Sequence, residues 1–168
     1  GHQDDSAHGV IHRYFTAVRL DDLPDAMHNL RTLMEHGYVT RTLNTVHYPY
    51  RVFCGDLLGA MPAMLLEMLV YSDEGFIKLL PAVPKDLSKG FVEGIWLYTF
   101  AKIEKMEWDM DAGKAAAEIS SLADQKIHYV FPVGYRKVFV NGSLYGENGT
   151  EFDLTMAKDS VTKLTFEF

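Results

Sequence analysis

The apolar residues change period near Gly75, and that change limits the fold more than any other feature of the chain. Before it, apolar positions recur at helical spacing. Val10, Ile11, Tyr14, Phe15 and Val18 form one stripe on a helix running from Ser6, whose hydroxyl suits an N-cap, to Leu20. A second helix follows, with Asp22 as its cap and Pro24 in its first turn. Ala26, Leu30, Leu33 and Met34 make its buried face, and Gly37 suits its end. The link between these helices is short, so they are expected to be antiparallel neighbours. Residues 38–54 are less regular, and Thr40, Thr42, Thr45 and Val46 resist a helix. His47-Tyr48-Pro49-Tyr50 reads as extended, because a residue before proline avoids the α region. Leu57, Leu58, Met61, Leu65, Met68 and Leu69 then predict a third helix, ending near Ser72 with Pro62 in its first turn. It is apolar on almost every side and calls for burial all round.

Beyond Gly75 the alternation is that of strands. Phe76-Ile77-Lys78-Leu79-Leu80 is stopped by Pro81 and Pro84. Ile127, Tyr129 and Phe131 give one strand with a single buried face, Phe152, Leu154 and Met156 another, and Leu164, Phe166 and Phe168 a third. Asn141-Gly142 is a hairpin turn, Asn148-Gly149 carries a second turn signal, and Ala112-Gly113 turns the hairpin after Trp108. The expected class is α+β: a helical segment over residues 1–75, then a small antiparallel β-sandwich over 76–168. Two accounts of the all-round apolar helix stand side by side. Either the sheet covers it in one compact domain, or its helical partners belong to a longer protein. An isolated segment of the second kind is expected to self-associate.

The 168 residues carry 16 Lys and Arg against 23 Asp and Glu, a formal net charge of −7. An acidic surface repels phosphate, so nucleic acid is not an expected partner. No apolar run is long enough to span a membrane, so no membrane partner is expected either. The single cysteine, Cys54, excludes an internal disulfide and a thiolate cluster. Gly1-His2 has the look of a cloning remnant. A neutral ligand such as a sugar is compatible with this charge.

The stretch from Glu67 to Pro84, EMLVYSDEGFIKLLPAVP, resembles a signature of glycoside hydrolase family 95, the α-L-fucosidases and their relatives. The likeness continues through Gly90-Phe91-Val92-Glu93-Gly94-Ile95 and the hairpin from Glu107-Trp108 to Gly113. Upstream, His8-Gly9 through Arg19-Leu20, Asp22 and Ala26 is similar to the family's His-Gly helix and its continuation. The resemblance covers roughly residues 6–120 in order. It implies that the helices are the end of an (α/α)6 barrel and that a C-terminal β-domain follows. It also implies an inverting hydrolase acting on α-linked L-fucose or a related sugar, in a bacterial secreted or periplasmic setting. An oligosaccharide would be the substrate, and no cofactor is called for. In such chemistry a glutamic acid protonates the leaving oxygen and a carboxylate activates water on the opposite ring face. The family's glutamic acid and asparagine pair lie upstream of the matched part, so this chain alone is expected to be inactive. The alternative is a non-catalytic carbohydrate-binding or interaction module, which would need an exposed aromatic row on the sheet.

The resemblance places one catalytic position at Phe53-Cys54-Gly55-Asp56, with cysteine where the family has aspartate. A thiol cannot serve as that base, so Asp56 becomes the candidate for base or water contact; an N-cap of the following helix is its structural alternative. Cys54 reads as a small buried hydrophobe, with His47 its one sequence-near basic partner. His8 and His47 are the candidate sugar contacts. His8 and His12 have a zinc-compatible spacing, but no third ligand is evident in sequence and no metal is expected. Trp96, Tyr98 and Trp108 read first as core and second as sugar-stacking platforms. Asn141-Gly142-Ser143 and Asn148-Gly149-Thr150 match the glycosylation pattern and read as turns. Asp109, Asp111 and Glu118 read as solvated hairpin charges.

Overall fold

The structure, a computed structural model, describes residues 6–168, so Gly1-His2 lies outside it. The class is α+β, with three α-helices among the described residues and then a largely antiparallel sheet. The chain divides into two compact units, Gly1–Leu69 and Val70–Phe168.

In the first unit, α1 (Ala7–Arg19) starts where Ser6 Oγ accepts from the Gly9 amide. Ala7, Val10, Ile11, Tyr14, Ala17 and Val18 make its buried stripe. Helix α2 (Leu23–Glu35) starts where Asp22 accepts from the Asp25 amide. Its buried face is Ala26, Asn29 and Leu33. Met34, expected on that face, is 46% exposed. Asn29 is tolerated inside because its oxygen accepts from Arg13 Nε and its amide donates to the Asp25 carbonyl. A two-stranded hairpin, β1 (Val46–Tyr48) with β2 (Arg51–Phe53), fills the irregular stretch. Tyr50 packs its ring where a Cβ on Gly37 would stand, and Gly37 has φ +83°, so glycine is required there.

Helix α3 (Gly55–Leu69) differs from expectation at both ends. It begins earlier, so Pro62 lies inside it and not in its first turn. It stops at Leu69, short of Ser72, because Val70–Asp73 pairs as a strand. Nor is it buried all round. Leu57, Met64, Met68 and Leu69 are inside, whereas Leu58, Leu65 and Leu66 are 53%, 47% and 42% exposed. The Tyr14 hydroxyl donates to the Met64 carbonyl at 2.7 Å, tying α1 to this helix.

The second unit is one eight-stranded mixed sheet that curls towards a barrel, not an antiparallel sandwich. The strands are β3 (Val70–Asp73), β4 (Phe76–Leu79), β5 (Lys89–Leu97), β6 (Ala101–Asp109), β7 (Lys114–Ser121), β8 (Gln125–Val140), β9 (Ser143–Met156) and β10 (Val161–Glu167). The long β8 organises it. β9 pairs along β8 from end to end; β4 pairs with its first half in parallel, and β10 with its second half antiparallel. One branch runs β4–β3 and the other β10–β7–β6–β5. They meet again where Ser72 Oγ accepts from the Tyr98 amide and Thr99 Oγ1 accepts from the Gly75 amide, both at 3.0 Å. A curled sheet leaves fewer open strand edges than two flat layers would. Phe131 stacks on Phe166 in the core, with ring centroids 4.5 Å apart. Asn141-Gly142 turns the β8–β9 hairpin, with φ +50° and +83°. Asn148-Gly149 is not a turn: it lies within β9, where the pairing with β8 shifts register. A Cβ on Gly149 would stand 2.6 Å from the Tyr135 hydroxyl.

Candidate functional site

The first unit brings four polar or nucleophilic side chains together from three elements. His8 lies in the first turn of α1, placed there by the Ser6 cap. His47 is the middle residue of β1. Cys54 follows β2 and precedes α3; its amide donates to the Thr45 carbonyl at 2.8 Å, and the fully buried Thr45 hydroxyl donates back to the Cys54 carbonyl. Asp56 is in the first turn of α3. The hairpin thus fixes His47 and Cys54 against each other, and the helix starts add His8 and Asp56.

The contacts are close. His8 Nε2 and Asp56 Oδ2 are 2.8 Å apart, with the side chains 47% and 75% exposed. The His8 and His47 rings meet edge to face, with centroids 4.7 Å apart. One ligand atom from each of His8, His47 and Cys54 lies within 4.8 Å of the other two. Cys54 is only 5% exposed, so its thiol faces this cluster from the buried side. Val52, next to the cluster in β2, has φ +53°, an unfavourable conformation for a β-branched residue.

Asp56 does not act as the cap of α3; its carboxylate bonds His8 instead. His8, His47 and Asp56 therefore share one patch, although 48 residues separate the first from the last. His12, four residues after His8, is exposed and takes no part in the cluster. The convergence of two imidazoles on Cys54 was not legible in sequence. It depends on the β1–β2 hairpin, and the only local hint was the proximity of His47 to Cys54 along the chain.

The second unit carries a different surface. Trp108 is core, as expected, with its indole N–H donating to the Leu87 carbonyl at 2.9 Å. Trp96 and Tyr98, also expected in the core, are 68% and 73% exposed. Gly94, at φ +76° in β5, and a register shift in β6 turn the outward positions so that Phe91 and Trp96 both stand on the open face. Phe91 borders a shallow groove of about 660 Å³ that Glu93, Lys105, Glu107, Ala116 and Thr165 also line. Lys102 Nζ lies 5.6 Å from the centre of the Trp96 ring. Asp109 and Asp111 pair with Lys89, and Glu118 pairs with Lys163, as solvated charges do. The Lys126 ammonium, then His128, holds the Asp153 carboxyl below the usual carboxylate range.

No protein-family model matches the chain, and no curated protein does. Among solved structures it is similar to a GH127 β-L-arabinofuranosidase from Geobacillus stearothermophilus T6, at 11% identity and a TM-score of 0.44, over 97% of this chain and 32% of that one. It is also similar to a GH30 endoxylanase from Clostridium papyrosolvens C71, at 11% identity and a TM-score of 0.35, over 98% of this chain and 39% of that one. Both are glycoside hydrolases, of families other than 95. At these values the likeness fixes neither family nor function. The chain spans well under half the length of either.

Proposed function

We propose that the chain is the C-terminal part of a glycoside hydrolase similar to the inverting α-L-fucosidases, acting on an α-linked L-fucoside or a related sugar in the full-length protein. The observation that carries this reading is the His8–Asp56 pair, because it joins the two stretches, His8-Gly9 and Phe53-Cys54-Gly55-Asp56, that the sequence resemblance assigns to the sugar cleft. Asp56 is an exposed carboxylate beside an imidazole, so it can hold and deprotonate a water, with His8 orienting it. His47 adds a second polar group for sugar hydroxyls. The resemblance puts the general acid upstream of the matched residues, and inversion would set its carboxyl group about 6.5–9.5 Å from Asp56 to admit the water. The test is release of aryl alcohol from an aryl α-L-fucoside, with the α-L-galactoside beside it, by the full-length protein and by this chain. The full-length protein is expected to be active and this chain inactive. Asp56→Asn in the full-length protein should lower kcat by about 100-fold or more with a smaller change in KM. An active short chain, or an unaffected variant, would overturn the assignment.

A second reading, a non-catalytic carbohydrate-binding surface, is favoured by one observation: Phe91 and Trp96 stand exposed on the open face of the sheet. Flat aromatic rings of this kind can stack on the apolar face of a sugar. Retarded migration of the chain in a gel containing soluble polysaccharide, lost in Trp96→Ala, would support it; equal migration of both would count against it.

A further inference from the structure

We infer that His8, His47 and Cys54 form a mononuclear transition-metal site, with zinc the metal that fits best and Asp56 the outer partner that orients His8. The inference does not rest on the sugar reading, and its test needs no substrate. Three observations carry it. Two imidazoles and a thiol offer one ligand atom each within 4.8 Å of one another. Zn–N and Zn–S bonds of about 2.0–2.3 Å in a tetrahedron place neighbouring ligand atoms about 3.5 Å apart, so no separation has to close by more than about 1.3 Å. Side-chain rotation supplies that, because His8 is half exposed and His47 stands on a short hairpin.

The second observation is the His8–Asp56 bond at 2.8 Å. A ligating histidine commonly donates its other ring N–H to a carboxylate, which fixes its tautomer and makes it a better donor to the metal. In the tautomer that donates from Nε2 to Asp56, Nδ1 would be the nitrogen left for the ion. The third is the placement of Cys54. It is buried and held on both sides of its peptide by Thr45, so its sulfur is set in place before an ion arrives. A two-nitrogen, one-sulfur set suits a borderline-soft ion and disfavours magnesium or calcium, which take oxygen ligands. Binding replaces the thiol proton: the S–H bond breaks, the proton goes to solvent and the S–metal bond forms, with no change of oxidation state. Three protein ligands leave a fourth position for water.

The experiment is a cobalt(II) titration of the metal-free 168-residue chain, followed by zinc displacement. Cobalt reports both its tetrahedral d–d absorption and a thiolate-to-cobalt charge-transfer band. The expected result is a charge-transfer band that saturates at one cobalt per chain and is abolished by zinc. Cys54→Ser should remove the band. His47→Gln should weaken cobalt affinity at least about tenfold, and Asp56→Asn should weaken it about 10–100-fold while keeping the band. No thiolate band in the wild-type chain overturns the site, as does a band unchanged in His47→Gln. Binding that persists in Cys54→Ser and is lost in His12→Ala instead assigns the ion to surface histidines and also overturns it. Should Cys54→Ser not fold by circular dichroism, the half-buried His47→Gln decides alone.

Discussion

Single side chains in this protein are governed by what their burial does to charge and to hydrogen bonding. Tyr129 is 1% exposed and Tyr14 fully buried, and burial raises both phenols well above the ordinary tyrosine value of 10.0. For Tyr14 the nearby Glu67 carboxylate adds to the effect. The folded-state value lies above the unfolded one, so the stabilisation is complete below pH 10.0 and is lost as pH rises beyond it. Urea unfolding should therefore show a falling midpoint above about pH 10, at up to about 1.4 kcal/mol per pH unit for each such tyrosine. Tyr129→Phe should flatten that fall; an unchanged slope would show that Tyr129 ionises as easily folded as unfolded. Tyr14→Phe removes one bond to the buried Met64 carbonyl, which keeps its partner within α3, and should cost about 0.5–1.5 kcal/mol near neutral pH. Apolar identity and caps were legible at this scale: Ser6 and Asp22 cap as their positions predicted. The roles of Asp56, Trp96 and Tyr98 were not, because each depends on what a distant segment brings alongside.

Elements were read correctly where a local rule acts alone, and less well where two segments compete. The Asn141-Gly142 hairpin is set by backbone conformations that those two residues adopt readily. Asn148-Gly149 offers the same chemistry, yet the 16-residue β8 recruits it into a ladder, and the left-handed Asn148 is taken up as an irregularity. Gly149→Ala should be destabilising by about 1–3 kcal/mol, since its Cβ would press on the Tyr135 hydroxyl; a chemical-denaturation curve superposable on wild type would refute the close approach. Helix α3 shows the opposite conflict. Its pattern placed Pro62 in the first turn, but the helix runs from Gly55, and an interior proline forfeits one hydrogen bond. Pro62→Ala should stabilise the first unit by about 1–2 kcal/mol. This is less than the full helical penalty of about 3 kcal/mol, because proline also restricts the unfolded chain. Thermal unfolding followed at the helical circular-dichroism band would measure it.

For the whole chain, the exposed apolar stripe Leu58, Leu65 and Leu66 on α3 is the feature with the largest consequence. These positions are one helical face, and a face of this kind tends to find a partner. The isolated chain should self-associate, with light scattering giving a mass above that of one chain at high concentration. Leu65→Glu should shift it towards the monomer, and a wild-type monomer at every concentration would overturn the expectation. The sequence by itself determined the succession of helices and then strands, the caps, the β8–β9 turn and the apolar faces of the core strands. Each of these follows from period, backbone preference or a side chain a few residues away. Tertiary structure alone decided that the strands curl into one mixed sheet, because the parallel β4–β8 pairing joins segments about 50 residues apart that carry no local mark of each other. It alone decided, too, that His8, His47, Cys54 and Asp56 share one site. Their side chains meet through the geometry of a hairpin and two helix starts, and a linear pattern holds no record of such distances.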